Sequence, residues 1–90
     1  MQSKNSKPLT TRERAHLLAV KSLPCSVCNA EPPSDAHHIK QGRHFCAVAL
    51  CKECHQGYNG IHGTKTLWRI VKLDELDALN ITIARLYATT

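Results

Sequence analysis

The chain is predicted to fold as a small α+β domain, and three features predict it. Two Cys-x-x-Cys pairs, Cys25/Cys28 and Cys51/Cys54, enclose two short candidate strands. Helical patterns flank that stretch on both sides. Ninety residues with four aromatics, Phe45, Tyr58, Trp68 and Tyr87, can build only a limited core. Domains of this size often need a metal or disulfides to reach adequate stability, and the cysteines offer that staple.

Residues 1–9 are polar and basic and read as a flexible tail able to lie along a phosphate backbone, with the folded domain over 10–90. Thr10 stands three residues before Glu13, a capping-box pattern that opens a helix from about Thr11 to Ser22. Leu17, Leu18 and Val20 give that helix its apolar side, and Pro24 ends it. His16, inside it, reads as an ordinary surface or half-buried residue. The stretch from Asn29 to Ser34 contains Pro32 and Pro33 and is neither helix nor central strand. Asp35 to Ile39 is a candidate strand, Gln41-Gly42-Arg43 a turn, and Phe45 to Leu50 the returning strand of a hairpin. A short helix begins near Lys52 and carries His55. Gly57, Asn59, Gly60 and Gly63 make the next stretch irregular, and Thr64 is expected to cap a helix running to about Val71. Leu73-Asp74-Glu75 opens the last helix with acidic groups at its positive end. Leu76, Leu79, Ile83 and Leu86 recur at three- and four-residue steps and read as its core stripe.

The formal charge of +5 is unevenly spread. Residues 1–73 hold 11 Lys/Arg against 4 Asp/Glu, whereas residues 74–90 hold Arg85 against Asp74, Glu75 and Asp77. A basic body suggests a polyanionic partner such as nucleic acid. No run of the sequence has the length and apolarity of a signal region or membrane span. The expectation is a cytoplasmic protein without a membrane partner, where cysteine pairs serve as metal ligands rather than disulfides. Five cysteines, an odd number, agree with that.

Cys25, Cys28, Cys51 and Cys54 follow the pattern Cys-x2-Cys-x22-Cys-x2-Cys, close to zinc-ribbon spacing. Four thiolates around Zn²⁺ leave no open position, so this site is structural and its binding energy becomes folding energy. Cys46, in an apolar run, reads as a small hydrophobe. A pair of redox-active motifs is disfavoured, because neither Cys-x-x-Cys lies in a βαβ pattern.

The histidines suggest a second, open site. His37 and His38 are adjacent on a candidate strand, so their side chains leave opposite faces. One can bind a metal if the other points elsewhere, and an unligated histidine beside a ligand is suited to take a proton near neutral pH. His55 is turned about 100° from Cys54 around its helix. It can face the hairpin while Cys54 faces the zinc. Asn59 and His62 follow, and two or three of these residues could complete a site with His37. Imidazole and amide donors with open water positions suit Mg²⁺, Mn²⁺, Co²⁺, Ni²⁺ or Zn²⁺.

Asp35-Ala-His-His-Ile39 and Leu50-Cys-Lys-Glu-Cys-His55 resemble the HNH, or ββα-metal, endonucleases that carry a four-cysteine structural zinc. More narrowly, Leu23-Pro-Cys-Ser-Val-Cys28, Ala36-His-His-Ile-Lys40, Cys54-His-Gln-Gly-Tyr-Asn-Gly-Ile-His-Gly63 and Thr66-Leu-Trp-Arg69 are similar to the phage recombination-enhancement nucleases, the Ref-type, RecA-dependent group. The resemblance spans residues 23 to about 87. It implies a zinc-stapled ββα-metal domain with flanking N- and C-terminal helices. It implies His38 as general base, and His37, His55 and His62 as ligands of one catalytic divalent cation, with Asn59 the alternative to His62. The middle asparagine of the HNH name has no counterpart between Arg43 and Val48. His44 stands nearby, either to orient the base in its stead or as an exposed loop residue. Longer Ref-type members carry an extended basic N-terminal region for which only residues 1–9 could stand, so a recombinase filament is a partner by resemblance alone.

The activity so implied is hydrolysis of DNA phosphodiester bonds to 5′-phosphate and 3′-hydroxyl ends, in phage or prophage recombination or DNA processing. Lys40, Arg43, Lys52, Lys65 and Arg69 are candidates to hold phosphates; such contacts position a strand without reading bases. The alternative is a non-catalytic zinc-finger module that binds nucleic acid. It accounts for the cysteines and the charge but leaves His37, His38, His55 and His62 as coincidence.

Overall fold

The computed structural model describes residues 7–88. Most of the expected tail, residues 1–6, lies outside the described residues. Along the chain come α1 (Thr11–Lys21), β1 (Asp35–His38), β2 (Ala47–Leu50), α2 (Lys52–His55), α3 (Thr66–Val71) and α4 (Glu75–Ala88). This is a small α+β arrangement around one two-stranded antiparallel sheet. No helix among the described residues is long and apolar enough to cross a membrane.

The start of α1 follows the sequence. The Thr10 hydroxyl accepts from the Glu13 N–H at 3.1 Å, and Glu13 Oε1 accepts from the Thr10 N–H at 2.9 Å. The strands are shorter than expected, because the turn takes Lys40 to Phe45 and leaves Phe45 52% exposed. Asp35 pairs with Leu50, His37 with Val48 and His38 with Ala47. Side chains alternate across the pleat, so Asp35 and His37 share one face and Ala36 and His38 the other. Ala36 packs with Val20, Leu23 and Ala49 beneath α1. Val48 and Leu50 pack with Cys25, Cys54, Trp68 and Ala78. All four residues of β2 are therefore buried.

Two expectations about the C-terminal half hold in part. The cap of α3 is Lys65, in the left-handed conformation at φ 64° with no side-chain cap, rather than Thr64. The Thr64 hydroxyl, one position earlier, still accepts from the Thr66 N–H at the start of the helix at 3.3 Å, while it donates to Asn59 Oδ1 at 3.2 Å and lies 2.7 Å from Thr66 Oγ1. In α4 the fully buried positions are Ala78 and Thr82; Leu79 and Leu86 are half-buried and pack against the core as expected, Ile83 is half-buried, and Leu76 is 71% exposed. The helix lies close against β2, and small side chains permit that approach.

Thr82 is the polar pin of this contact. Its hydroxyl donates to Ala78 O at 2.9 Å, lies 2.7 Å from Ser26 Oγ and accepts from the Ala49 N–H at 3.3 Å. Arg85 extends the contact by donating to Cys25 O at 3.2 Å and to Asn29 Oδ1 at 2.6 Å. The last helix is thus fastened to the first cysteine turn. Thr82→Val keeps the shape but leaves the buried Ala49 N–H and Ser26 hydroxyl without their partner, a cost of about 1–3 kcal/mol. Thermal unfolding should show that loss, and an unchanged melting temperature would contradict the role given to Thr82.

Candidate metal centres

The cysteines converge from two turns. In the first, the Val27 N–H donates to Cys25 Sγ at 3.4 Å; in the second, the Cys54 N–H donates to Cys51 Sγ at 3.4 Å. Amides aimed at sulfur favour thiolate over thiol. The four Sγ atoms lie within 4.8 Å of one another and none is in a disulfide. Cys28 Sγ and Cys51 Sγ are 3.6 Å apart. Sulfurs about 2.3 Å from a tetrahedral zinc stand about 3.8 Å from each other, so the spacing fits a metal such as zinc and is far too long for a bond between sulfurs.

The pKa values of Cys25, Cys28 and Cys54 are shifted in different directions. Burial pushes Cys25 up, but backbone amides at Cys51, Cys28 and Val27 outweigh it and leave its pKa below the ordinary thiol value. Burial raises Cys28 and raises Cys54 strongly, and the neighbouring Cys25 adds to the rise at Cys54. Four negative sulfurs in this space need a cation at their centre to ionise together. Cys46, the remaining thiol, is half-buried and outside the group.

Helix α2 joins this knot to a second cluster. Cys54 and His55 are consecutive and both largely buried, the histidine 9% exposed. His62 is brought back by the loop after α2: the Ile61 N–H donates to Cys54 O at 2.8 Å and the His62 N–H to His55 O at 3.1 Å. Gly60 makes this return possible. A Cβ there would fall 2.5 Å from Glu53 O and 2.7 Å from Cys54 O. Trp68, buried, donates its indole N–H to the same Cys54 O at 2.9 Å and holds α3 against α2.

His37, from β1, completes the cluster. The ring centroids of His37, His55 and His62 form a nearly equilateral triangle, 5.0, 5.1 and 4.9 Å on its sides. One ligand nitrogen from each ring lies within 4.8 Å of the others. Imidazoles bound at about 2.1 Å around a tetrahedral ion place their centroids about 5 Å apart, so the donor set and spacing fit a divalent cation. Burial depresses the His62 pKa, and the neighbouring His55 and His37 depress it further, which keeps its lone pair available.

Two carboxylates touch this cluster, and neither was singled out as a site residue from the sequence. Glu75 Oε2 lies 2.6 Å from His37 Nε2, and Asp35 Oδ2 lies 2.9 Å from His55 Nδ1. Asp35 Oδ1 accepts from Lys52 Nζ at 2.6 Å. Its pKa is held below the usual carboxylate value by the His55 hydrogen bond first and Lys52 next. Asp35 opens the Asp35-Ala-His-His-Ile39 stretch, two residues before His37, which is the one signal that could have found it. Glu75 had the look of an ordinary acidic group in a helix's first turn.

His38 stands outside the trio, on the opposite face of β1 from His37 by the pleat. Its Nε2 is 3.0 Å from His44 Nδ1, with ring centroids 5.1 Å apart. Burial lowers its pKa, and the charges of His44 and then His37 lower it further. Asn59 uses its amide oxygen to accept from the Thr64 hydroxyl at 3.2 Å. Lys40, Arg43, Lys65 and Arg69 are exposed, and Lys52 is exposed but tied to Asp35.

No protein-family model, curated protein or solved structure matches the chain. Two outcomes are expected. Elemental analysis of the purified protein should find one firmly held zinc, and Cys54→Ser should lose both that zinc and cooperative melting; full retention of either would contradict a structural zinc. Gly60→Ala should weaken binding of any further divalent cation by displacing His62, as read by calorimetric titration with Co²⁺; wild-type affinity would show that the loop does not position that ring.

Proposed function

We propose that the protein is a metal-dependent DNA endonuclease of the HNH type, with a structural zinc at Cys25, Cys28, Cys51 and Cys54. The observation that supports this reading most is the convergence of His37, His55 and His62 into one triangle while His38, next in the chain, is kept out of it. A purely structural zinc module has no need of that second cluster.

In this reading His37, His55 and His62 hold one divalent cation, which when bound supplies Lewis-acid stabilisation of phosphoryl and leaving-oxygen charge. His38 takes the proton from the attacking water. His44 shares a hydrogen bond with it and fixes the plane of its ring, the task that falls to asparagine in the HNH name. Lys40, Arg43, Lys65 and Arg69 hold flanking phosphates, with Lys52 divided between Asp35 and the backbone. The products are 5′-phosphate and 3′-hydroxyl ends, and the setting is phage or prophage recombination or DNA processing.

Nicking of supercoiled plasmid with Mg²⁺, Mn²⁺, Co²⁺ or Ni²⁺ tests the proposal. Wild-type protein should cleave, and His38→Ala should lose at least about 100-fold in rate, the usual share of a general base, while retaining zinc, folding and DNA binding. A depressed pKa keeps His38 neutral to lower pH than a free imidazole, so the acid limb of the rate profile should lie below about pH 6.5. One bound zinc with no cleavage by any of these metals would favour the non-catalytic nucleic-acid-binding module. Near-normal turnover in His38→Ala would reject the base assignment.

A further inference from the structure

The two carboxylates beside the histidine triangle are arranged alike. Each meets one ring nitrogen of one histidine: Glu75 Oε2 at His37 Nε2, 2.6 Å, and Asp35 Oδ2 at His55 Nδ1, 2.9 Å. An ionised carboxylate only accepts hydrogen bonds, so in each pair the ring nitrogen carries the proton. A neutral imidazole then has its lone pair on the other nitrogen. Neither carboxylate belongs to the group of ligand atoms within 4.8 Å of one another. Both therefore flank the triangle rather than enter it.

The two come from separate parts of the fold. Asp35 opens β1, and Glu75 opens α4, 38 residues beyond His37. Asp35 is itself steadied by Lys52, and Glu75 by the docking of α4 against β2 through Ala78 and Thr82. His37 is 6% exposed and its Glu75 partner 35% exposed on the side chain, so little water competes for the buried ring N–H.

We propose that Glu75 and Asp35 are positioning residues that fix the tautomers of His37 and His55, so that His37 presents Nδ1 and His55 presents Nε2 to a divalent cation shared with His62. The inference rests on the metal site in the proposed function and adds to it which atoms bind and what orients them. A carboxylate on the outer nitrogen both locks the ring and raises its basicity as a ligand, and loss of such a partner typically costs about 10- to 100-fold in metal affinity. It also gives α4 a task in the site. The helix that closes the core delivers the carboxylate that orders a histidine on the first strand.

The test uses the full chain loaded with zinc. Long-range proton–nitrogen imidazole spectra should show His37 protonated at Nε2 and His55 at Nδ1; the opposite tautomers would overturn the proposal. Calorimetric titration with Co²⁺ should find one further equivalent in the wild type. Glu75→Ala and Asp35→Ala should each weaken it about 10- to 100-fold, and Glu75→Gln, which still offers a carbonyl acceptor, should weaken it less than Glu75→Ala. In a His37→Ala background, Glu75→Ala should have no further effect, because its influence passes through that ring. An equal loss in that background would make Glu75 a direct ligand and overturn the positioning role. Unchanged Co²⁺ affinity in Glu75→Ala and Asp35→Ala, with zinc content and melting retained, would overturn it as well. Absence of the further Co²⁺ equivalent in the wild type would instead remove the metal site of the proposed function, and the inference with it.

Discussion

The structure depends on the meeting of two cysteine turns that are far apart in sequence. Cys25 and Cys28 lie in the turn after α1, Cys51 and Cys54 open α2, and their sulfurs come within 4.8 Å of one another. Once the second turn is fixed, His55 is fixed too, because it directly follows Cys54 in the same helical turn. The hairpin hangs between the two turns, and its pleat sends His37 toward His55 and His38 away from it. A stability device and a candidate chemical site thus share one short helix, which is why disturbance of either should be felt in the other.

The polar contacts outside the knot converge on the same core. Cys54 O accepts from both the Ile61 N–H and the Trp68 indole, so a single carbonyl orders the loop bearing His62 and the helix that follows. Thr82 ties α4 to the amide of Ala49, and Arg85 ties it to the first cysteine turn. Each of these groups is buried or half-buried and hydrogen-bonded, as its desolvation requires. Together they hold the start of α4, and Glu75 with it, beside His37.

Much of this was legible in residue spacing. Paired cysteines, the capping box at Thr10, the hairpin and the helical turn carrying His55 are local patterns whose chemistry can be read without knowing the fold. The misreadings concern longer-range geometry. In the Leu76, Leu79, Ile83, Leu86 stripe, Leu79 and Leu86 do pack against the core, but Leu76 is exposed, and close approach to a fully buried strand put Ala78 and Thr82 at the centre of the contact. Thr64 does accept from the first N–H of α3, but from one position before the cap, which falls on Lys65 in the left-handed conformation. Glu75 meets a histidine 38 positions away, a contact no local pattern announces.

The central claim is that the imidazoles of His37, His55 and His62 surround a cation distinct from the one among the sulfurs. Crystals grown with zinc and soaked in Mn²⁺, measured near the absorption edges of both metals, address it directly. The account predicts two separate anomalous peaks, a zinc peak among the four cysteines and a second metal peak within the histidine triangle. A single peak among the cysteines, with the three rings apart from any ion at saturating Mn²⁺, would contradict it.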